Sequence, residues 1–192
     1  MRKLSTLARL TLLVATTAGS ALGQGVQPSI DNERITVWDT TSPLPPAEHD
    51  FVAVSLSRKR TVAFGHKGDI PGVAGSRTVV IELKDHLVAP IPNISGYPNA
   101  FPRPRAKKLL ENDRTIVWSY SWNLDEPTQM HFHDKDVLVV FKEDTALKST
   151  TPDGKSVVNE NKSGDIRFNR RDRIHTEVLV RGTGSAVITE LK

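Results

Sequence analysis

The 192-residue chain contains no cysteine. That excludes disulfides, thiolate nucleophiles and cysteine-based zinc sites, so stability must come from a packed core. No apolar run approaches the roughly 20 residues that a membrane-spanning helix needs. Helical periodicity is almost missing too; the best helical stretch is Arg105 to Asn112, and it is short. No Gly-x-Ser-x-Gly elbow, phosphate-binding loop or dinucleotide fingerprint occurs. The formal charge of +4 suggests a nucleic-acid partner, but three of the 26 basic residues and none of the 22 acidic ones lie in residues 1–23. The remainder carries 23 basic and 22 acidic residues, and nucleic acid is not implied.

Those first 23 residues read as a signal peptide. Arg2 and Lys3 make a positive start, Leu10 to Gly19 is a short uncharged stretch, and Ala21-Leu22-Gly23 puts small residues before a cut at Gln24. The expected location is secreted or periplasmic, with no membrane span in the processed chain.

Beyond residue 23 the sequence is nearly all strand signal. Thr115 to Trp122 alternates, with Ile116, Trp118, Tyr120 and Trp122 on one face. Asp136 to Phe141 suits a strand buried on both sides. Thr145 to Thr150 and Lys155 to Asn159 flank the turn Thr151-Pro152-Asp153-Gly154. Asp165 to Asn169, Arg173 to Arg181 and Ser185 to Leu191 complete an all-β set whose spacing predicts a sandwich or barrel. Five prolines between Pro90 and Pro104 exclude a central strand or helix there. Residues 90–111 read as a Pro-rich linker or a long surface loop between the two halves, with a solvated basic cluster at Arg103 to Lys108.

The segments on either side of it share sequence. Asn32-Glu33-Arg34-Ile35-Thr36-Val37-Trp38 parallels Asn112-Asp113-Arg114-Thr115-Ile116-Val117-Trp118, and Gly75 to Lys84 parallels Gly184 to Lys192. An Asp followed by alternating Val stands between the matched ends, at Asp50 and Asp136. Residues 24–89 are expected to be a shorter copy of the β unit at 112–192.

His131-Phe132-His133 places two imidazoles on one face of a strand, where both can reach one point. His175 stands in a later strand with Glu177 on the same face. Residues 112–192 resemble the cupin superfamily, whose jelly-roll barrel takes metal ligands from a His-x-His motif and from a later histidine. The second motif of that family opens on a Gly eleven residues before its His, as Gly164 stands before His175. Arg170, Asp172 and Leu179 replace its Pro, Gly and Asn, and Asp125 replaces the glycine that opens the first motif. The acidic ligand position falls on Val137 or Leu138, neither of which can bind a metal.

The resemblance implies a cupin-like jelly-roll β-barrel with a divalent transition metal (iron, copper, zinc, nickel or manganese) on His131, His133 and His175. Glu177 is the candidate fourth ligand. Trp118, Tyr120, Trp122, Gln129, Arg167 and Arg173 are the candidate substrate-binding residues; the aromatic row is either a packed strand face or a cavity wall. The implied partner is a small organic molecule, and three-histidine cupins include thiol and flavonol dioxygenases. A non-catalytic ligand-binding protein and a structural one with vestigial histidines stay open as alternatives. So does the oligomeric state, a homodimer being one option. N-terminal sequencing of the exported protein is expected to start at or near Gln24; a start at Met1 would refute the export reading.

Overall fold

The computed structural model describes residues 26–57, 62–72 and 74–192. The expected signal peptide, residues 1–23, lies outside them. Among the described residues there are fourteen strands, and no helix is long and apolar enough to cross a membrane. The first five are β1 (Ile30–Asp31), β2 (Ile35–Thr40), β3 (Phe51–Ser55), β4 (Val62–Gly65) and β5 (Thr78–Leu83). Then come β6 (Lys107–Glu111), β7 (Thr115–Trp122), β8 (His131–His133), β9 (Asp136–Phe141) and β10 (Thr145–Thr150). The last are β11 (Ser156–Asn161), β12 (Ile166–Asn169), β13 (Arg173–Gly182) and β14 (Gly184–Leu191).

From β7 onward the chain crosses repeatedly between two antiparallel sheets. One has the order β12-β9-β14-β7-β6, the other β11-β10-β13-β8. Only the β6–β7 and β10–β11 hairpins stay within a sheet, the latter turning through Gly154 at φ 82°. The strand pattern predicts a sandwich or barrel, and this alternation is the jelly roll that the cupin resemblance implies. Its interior holds Trp118, Tyr120, Trp122, Val137, Phe141, Leu147, Leu179 and Ile188.

The first half builds one further sheet, β1-β2-β5-β3-β4. Strand by strand it matches β6-β7-β14-β9-β12, and the pairing register matches as well. Trp38 lies opposite Val80 as Trp118 lies opposite Ile188. Phe51 lies opposite Glu82 as Val137 lies opposite Glu190. Val52 lies opposite Phe64 as Leu138 lies opposite Phe168. The turns entering β2 and β7 are built alike. Asn32 Oδ1 accepts from the Arg34 and Ile35 N–H groups, and Asn112 Oδ1 accepts from those of Arg114 and Thr115. The first half has no counterpart of the histidine-bearing sheet among the described residues.

The two matching sheets pack face to face. Val37, Val52, Val54, Val79, Ile81 and Leu83 meet Val117, Leu138, Val140, Val187 and Leu191 in one core. The sheet β12-β9-β14-β7-β6 is therefore covered on both sides, which is why Asp136 to Phe141 reads as an unbroken apolar run. Arg34 reaches across to Asp136 Oδ2 at 2.7 Å and to the Lys192 carbonyl at 2.9 Å. Arg114 returns the contact, donating to the Leu83 and Lys84 carbonyls at 3.1 and 2.6 Å.

The structure adds to two of the sequence readings. Residues 105–112 do not form a helix; Lys107–Glu111 pairs with β7 as an edge strand, with a register shift between Lys108 and Leu110. Eight residues nucleate a lone helix poorly, whereas the hairpin satisfies the backbone at once. The Pro-rich stretch is not a free linker along its length. It runs beside β8, where Ile91 N–H donates to the Asp134 carbonyl, Ala100 N–H to the Phe132 carbonyl and Phe132 N–H to the Pro98 carbonyl. An edge position tolerates prolines, because only some residues must donate. Ala100 and Phe101 enter the barrel core.

Arg34→Ala strands the buried Asp136 carboxylate and should cost about 3–5 kcal/mol in a denaturant melt. Arg114→Ala removes donors only to carbonyls at that interface and should cost about 1–2 kcal/mol.

Candidate metal centre

β8 and β13 pair antiparallel, with His175 opposite His131 and Arg173 opposite His133. The i, i+2 spacing on β8 and this register bring three imidazoles together on the inner face. One ring nitrogen from each of His131, His133 and His175 lies within 4.8 Å of the others, and all three side chains are buried. Ring centroids are 5.0, 4.8 and 5.0 Å apart.

The turns that feed these strands explain the departures from the family motif. Gly164 has φ 89°, a left-handed conformation that a side chain would strain. Asp125 and Asp172, which stand where the motif has glycines, adopt φ 58° and 64°. Aspartate tolerates this region better than most residues, so these turns form without glycine. Asp172 N–H then donates to the His133 carbonyl, and Asp125 N–H to the Leu179 carbonyl.

Each imidazole is oriented differently. His131 Nδ1 lies 2.7 Å from the Gln129 carbonyl, to which it can only donate, so its lone pair is on Nε2. His175 Nδ1 is 2.9 Å from Ser149 Oγ. His133 Nδ1 is buried without a partner. His133 Nε2 and His175 Nε2 are 2.9 Å apart. At that distance they either share a proton or converge on one cation, since a metal–nitrogen bond is about 2.0–2.1 Å. Burial lowers the pKa of all three, His131 to about 4 with help from the Arg103 guanidinium. The rings are therefore neutral near pH 7, which is the state that ligates metal. Buried neutral imidazoles with a fixed tautomer fit a divalent transition metal, and a backbone carbonyl behind a ligand is a common orienting device.

Glu177 stands beside this cluster and not in it. Its Oε2 accepts from Trp122 Nε1 at 3.1 Å and from Arg103 Nη2 at 3.4 Å. Burial pushes its pKa up, but the Arg103 guanidinium and the Trp122 indole N–H, joined by the histidines when protonated, hold it below the ordinary value, so it is a carboxylate. Arg103, placed by sequence in a solvated cluster, is only 10% exposed and is a central residue. Its Nη1 donates to His131 Nε2 at 3.0 Å, and its guanidinium lies 4.0 Å from the Tyr120 ring centroid and 4.7 Å from that of Phe101. Its partners His131 and Glu177 lie 28 and 74 positions away in sequence, and no local pattern signals such contacts. The clue was its place in an arginine- and proline-rich strap.

The candidate substrate residues separate into three groups. Trp122, Arg167 and Arg173 line an internal cavity of about 90 Å³ together with His133, His175 and Glu177. Tyr120 and Gln129 line an outer pocket of about 190 Å³ with His131. Arg103 borders both. Trp118 belongs to the packed face: it stacks on Phe101 at 5.2 Å and donates to Glu190 Oε2 at 2.8 Å. Arg167 is held by Asn159 Oδ1 and the Glu160 carbonyl, and Arg173 by the Arg170 carbonyl.

No protein-family model and no curated protein matches this chain. Solved structures do. A cupin domain from Bordetella pertussis Tohama I is 22% identical, with a TM-score of 0.41 over 50% of this chain and 96% of its own. A cupin 2 conserved barrel domain protein from Leptotrichia buccalis is 13% identical, with a TM-score of 0.45 over 85% and 86%. The polyketide cyclase RemF from Streptomyces resistomycificus is 17% identical, with a TM-score of 0.38 over 54% and 80%. The likeness is to cupins. It is a likeness of fold, and the chemistry of the cupin-like barrel rests on its own residues.

Lowered histidine pKa values make acid destabilising. The unfolded chain takes up protons below about 6.5, and the folded cluster resists until lower pH. The cluster's contribution is fully present above pH ~6.5 and is lost as pH falls from there through about 4 for His131. Denaturant melts of metal-free protein should show this slope, and His131→Asn should flatten it.

Proposed function

We propose that this chain is an exported protein whose cupin-like barrel holds a divalent transition metal on His131, His133 and His175 and acts on a small organic molecule, with a dioxygenase as the leading reaction. The convergence of the three buried imidazoles carries this reading. Three neutral ligands leave a bound ion its full charge and open positions, supplying Lewis-acid chemistry or, with iron or copper, redox chemistry. Around it, the chain's own groups have definable tasks. The Gln129 carbonyl keeps the His131 lone pair on Nε2. Glu177 balances the charge of Arg103 and positions the Trp122 indole. Arg103 and Arg173 offer positive charge to an anionic substrate at the two cavity walls.

A second reading is a non-catalytic ligand-binding barrel. The observation favouring it is the small internal cavity, with Arg103 already donating to His131 Nε2. The two readings agree on the metal and differ on turnover.

Protein purified without a histidine tag should contain about one divalent transition ion per chain, and the His131→Ala, His133→Ala double variant should lose nearly all of it. Stoichiometric retention in the double variant would overturn the site. Arg103→Leu, which removes a neighbouring cation, should tighten metal binding roughly tenfold in chelator competition. Oxygen uptake with a panel of thiols and flavonol-type chelators, matched by product, supports the dioxygenase; saturable binding without uptake supports the binder.

A further inference from the structure

The first half carries a cavity of its own, remote in sequence from the histidine cluster. It measures about 360 Å³ and is walled by Trp38, Leu44, Pro45, Pro71 and Val80, with Glu82 among the lining groups. Two loops make its outer wall, tied by Leu44 N–H to the Pro71 carbonyl and Ala47 N–H to the Asp69 carbonyl. The lining holds two carboxylates, Glu48 and Glu82, and no lysine, arginine or histidine.

Glu82 is the informative residue. It is only 6% exposed. The His49 N–H donates to its Oε1 at 2.7 Å, and among the described residues no cation pairs with it. Burying a carboxylate without a counter-charge is costly. The matching sheet of the second half shows what is missing. Glu190 occupies the same register as Glu82. It accepts from Trp118 Nε1, and Lys135 Nζ lies 3.8 Å from its Oε1. The counterpart of Trp118 is Trp38. The counterpart of Lys135, one residue before the matched Asp136, is His49, one residue before Asp50. The His49 ring points elsewhere, with Nδ1 3.5 Å from Asp85 Oδ2. The first half thus keeps the carboxylate and the indole and lacks the ammonium group.

We infer that this cavity binds a small organic ammonium ion, its charged head against Glu82 and its hydrocarbon against Trp38 and the proline walls. The volume lies at the lower end of the range for small-molecule sites. A half-buried indole beside a carboxylate suits such a cation, through the ring face as well as the charge. An anion would meet two carboxylates, and a neutral alcohol would leave Glu82 without a counter-charge.

The probes are benzylammonium, benzyl alcohol and benzoate, titrated into the full chain while the three indole N–H resonances are followed by NMR. Trp→Phe variants assign those resonances. Benzylammonium should saturate and move the Trp38 signal, with at least tenfold tighter binding than benzyl alcohol and no binding of benzoate. Glu82→Gln and Trp38→Leu should each weaken benzylammonium at least tenfold, and His131→Ala should not change it. Equal binding of alcohol and ammonium, undiminished binding by Glu82→Gln, or shifts confined to Trp118 and Trp122 would overturn the inference. The three-ligand comparison needs only the unaltered chain, so it decides the question even where a variant does not fold. Its failure leaves the metal reading untouched, because the two sites share no residue.

Discussion

A sheet whose central strands are covered on both faces organises this molecule. The strands β12, β9, β14, β7 and β6 pack the aromatic barrel interior on one side and the valine-rich sheet of the first half on the other. Each fully buried aliphatic side chain in such a layer is worth roughly 1.5–3 kcal/mol. A chain without disulfides depends on terms of that kind. Arg34 pairs with Asp136 at the layer's margin. Only with this layer fixed can β8 and β13 close over it and hold three histidines inward.

The histidine cluster lives in a dry and electrically crowded setting. Burial keeps the imidazoles neutral, and the nearby charges largely cancel, since Arg103 faces Glu177. A divalent ion would enter a site that already contains a guanidinium. With such an ion present, Glu177 would offset only Arg103, and an anionic substrate would offset part of the charge that remains. That arrangement ties metal affinity and substrate charge together through Arg103.

Much of this was legible in the amino-acid order. Thr115 to Trp122, Asp136 to Phe141 and the strands through Leu191 announce themselves by alternation and turn residues, which are local properties. His131 and His133 follow from strand periodicity, and His175 from motif spacing. The weak helical signal near Arg105 gives way to edge pairing, a tertiary effect that overrides local preference. The pairing of the Pro-rich strap is out of reach of local pattern for a related reason. Prolines exclude a central strand, but an edge beside β8 asks for only occasional donors. Glu177 illustrates a finer limit. Sharing a strand face with His175 was readable, while capture of its carboxylate by Trp122 and Arg103 depends on contacts 55 and 74 residues distant.

The position of β14 governs when the molecule can fold. It comes after every other strand in the chain, yet it lies between β7 and β9 and pairs with both. The strands on either side of it have no partner in that gap until β14 has been made. The same holds on a smaller scale for β5, which lies between β2 and β3. Each half is thus closed by its final strand, and its earlier strands wait with open edges during synthesis. Folding of the second half is set by long-range closure.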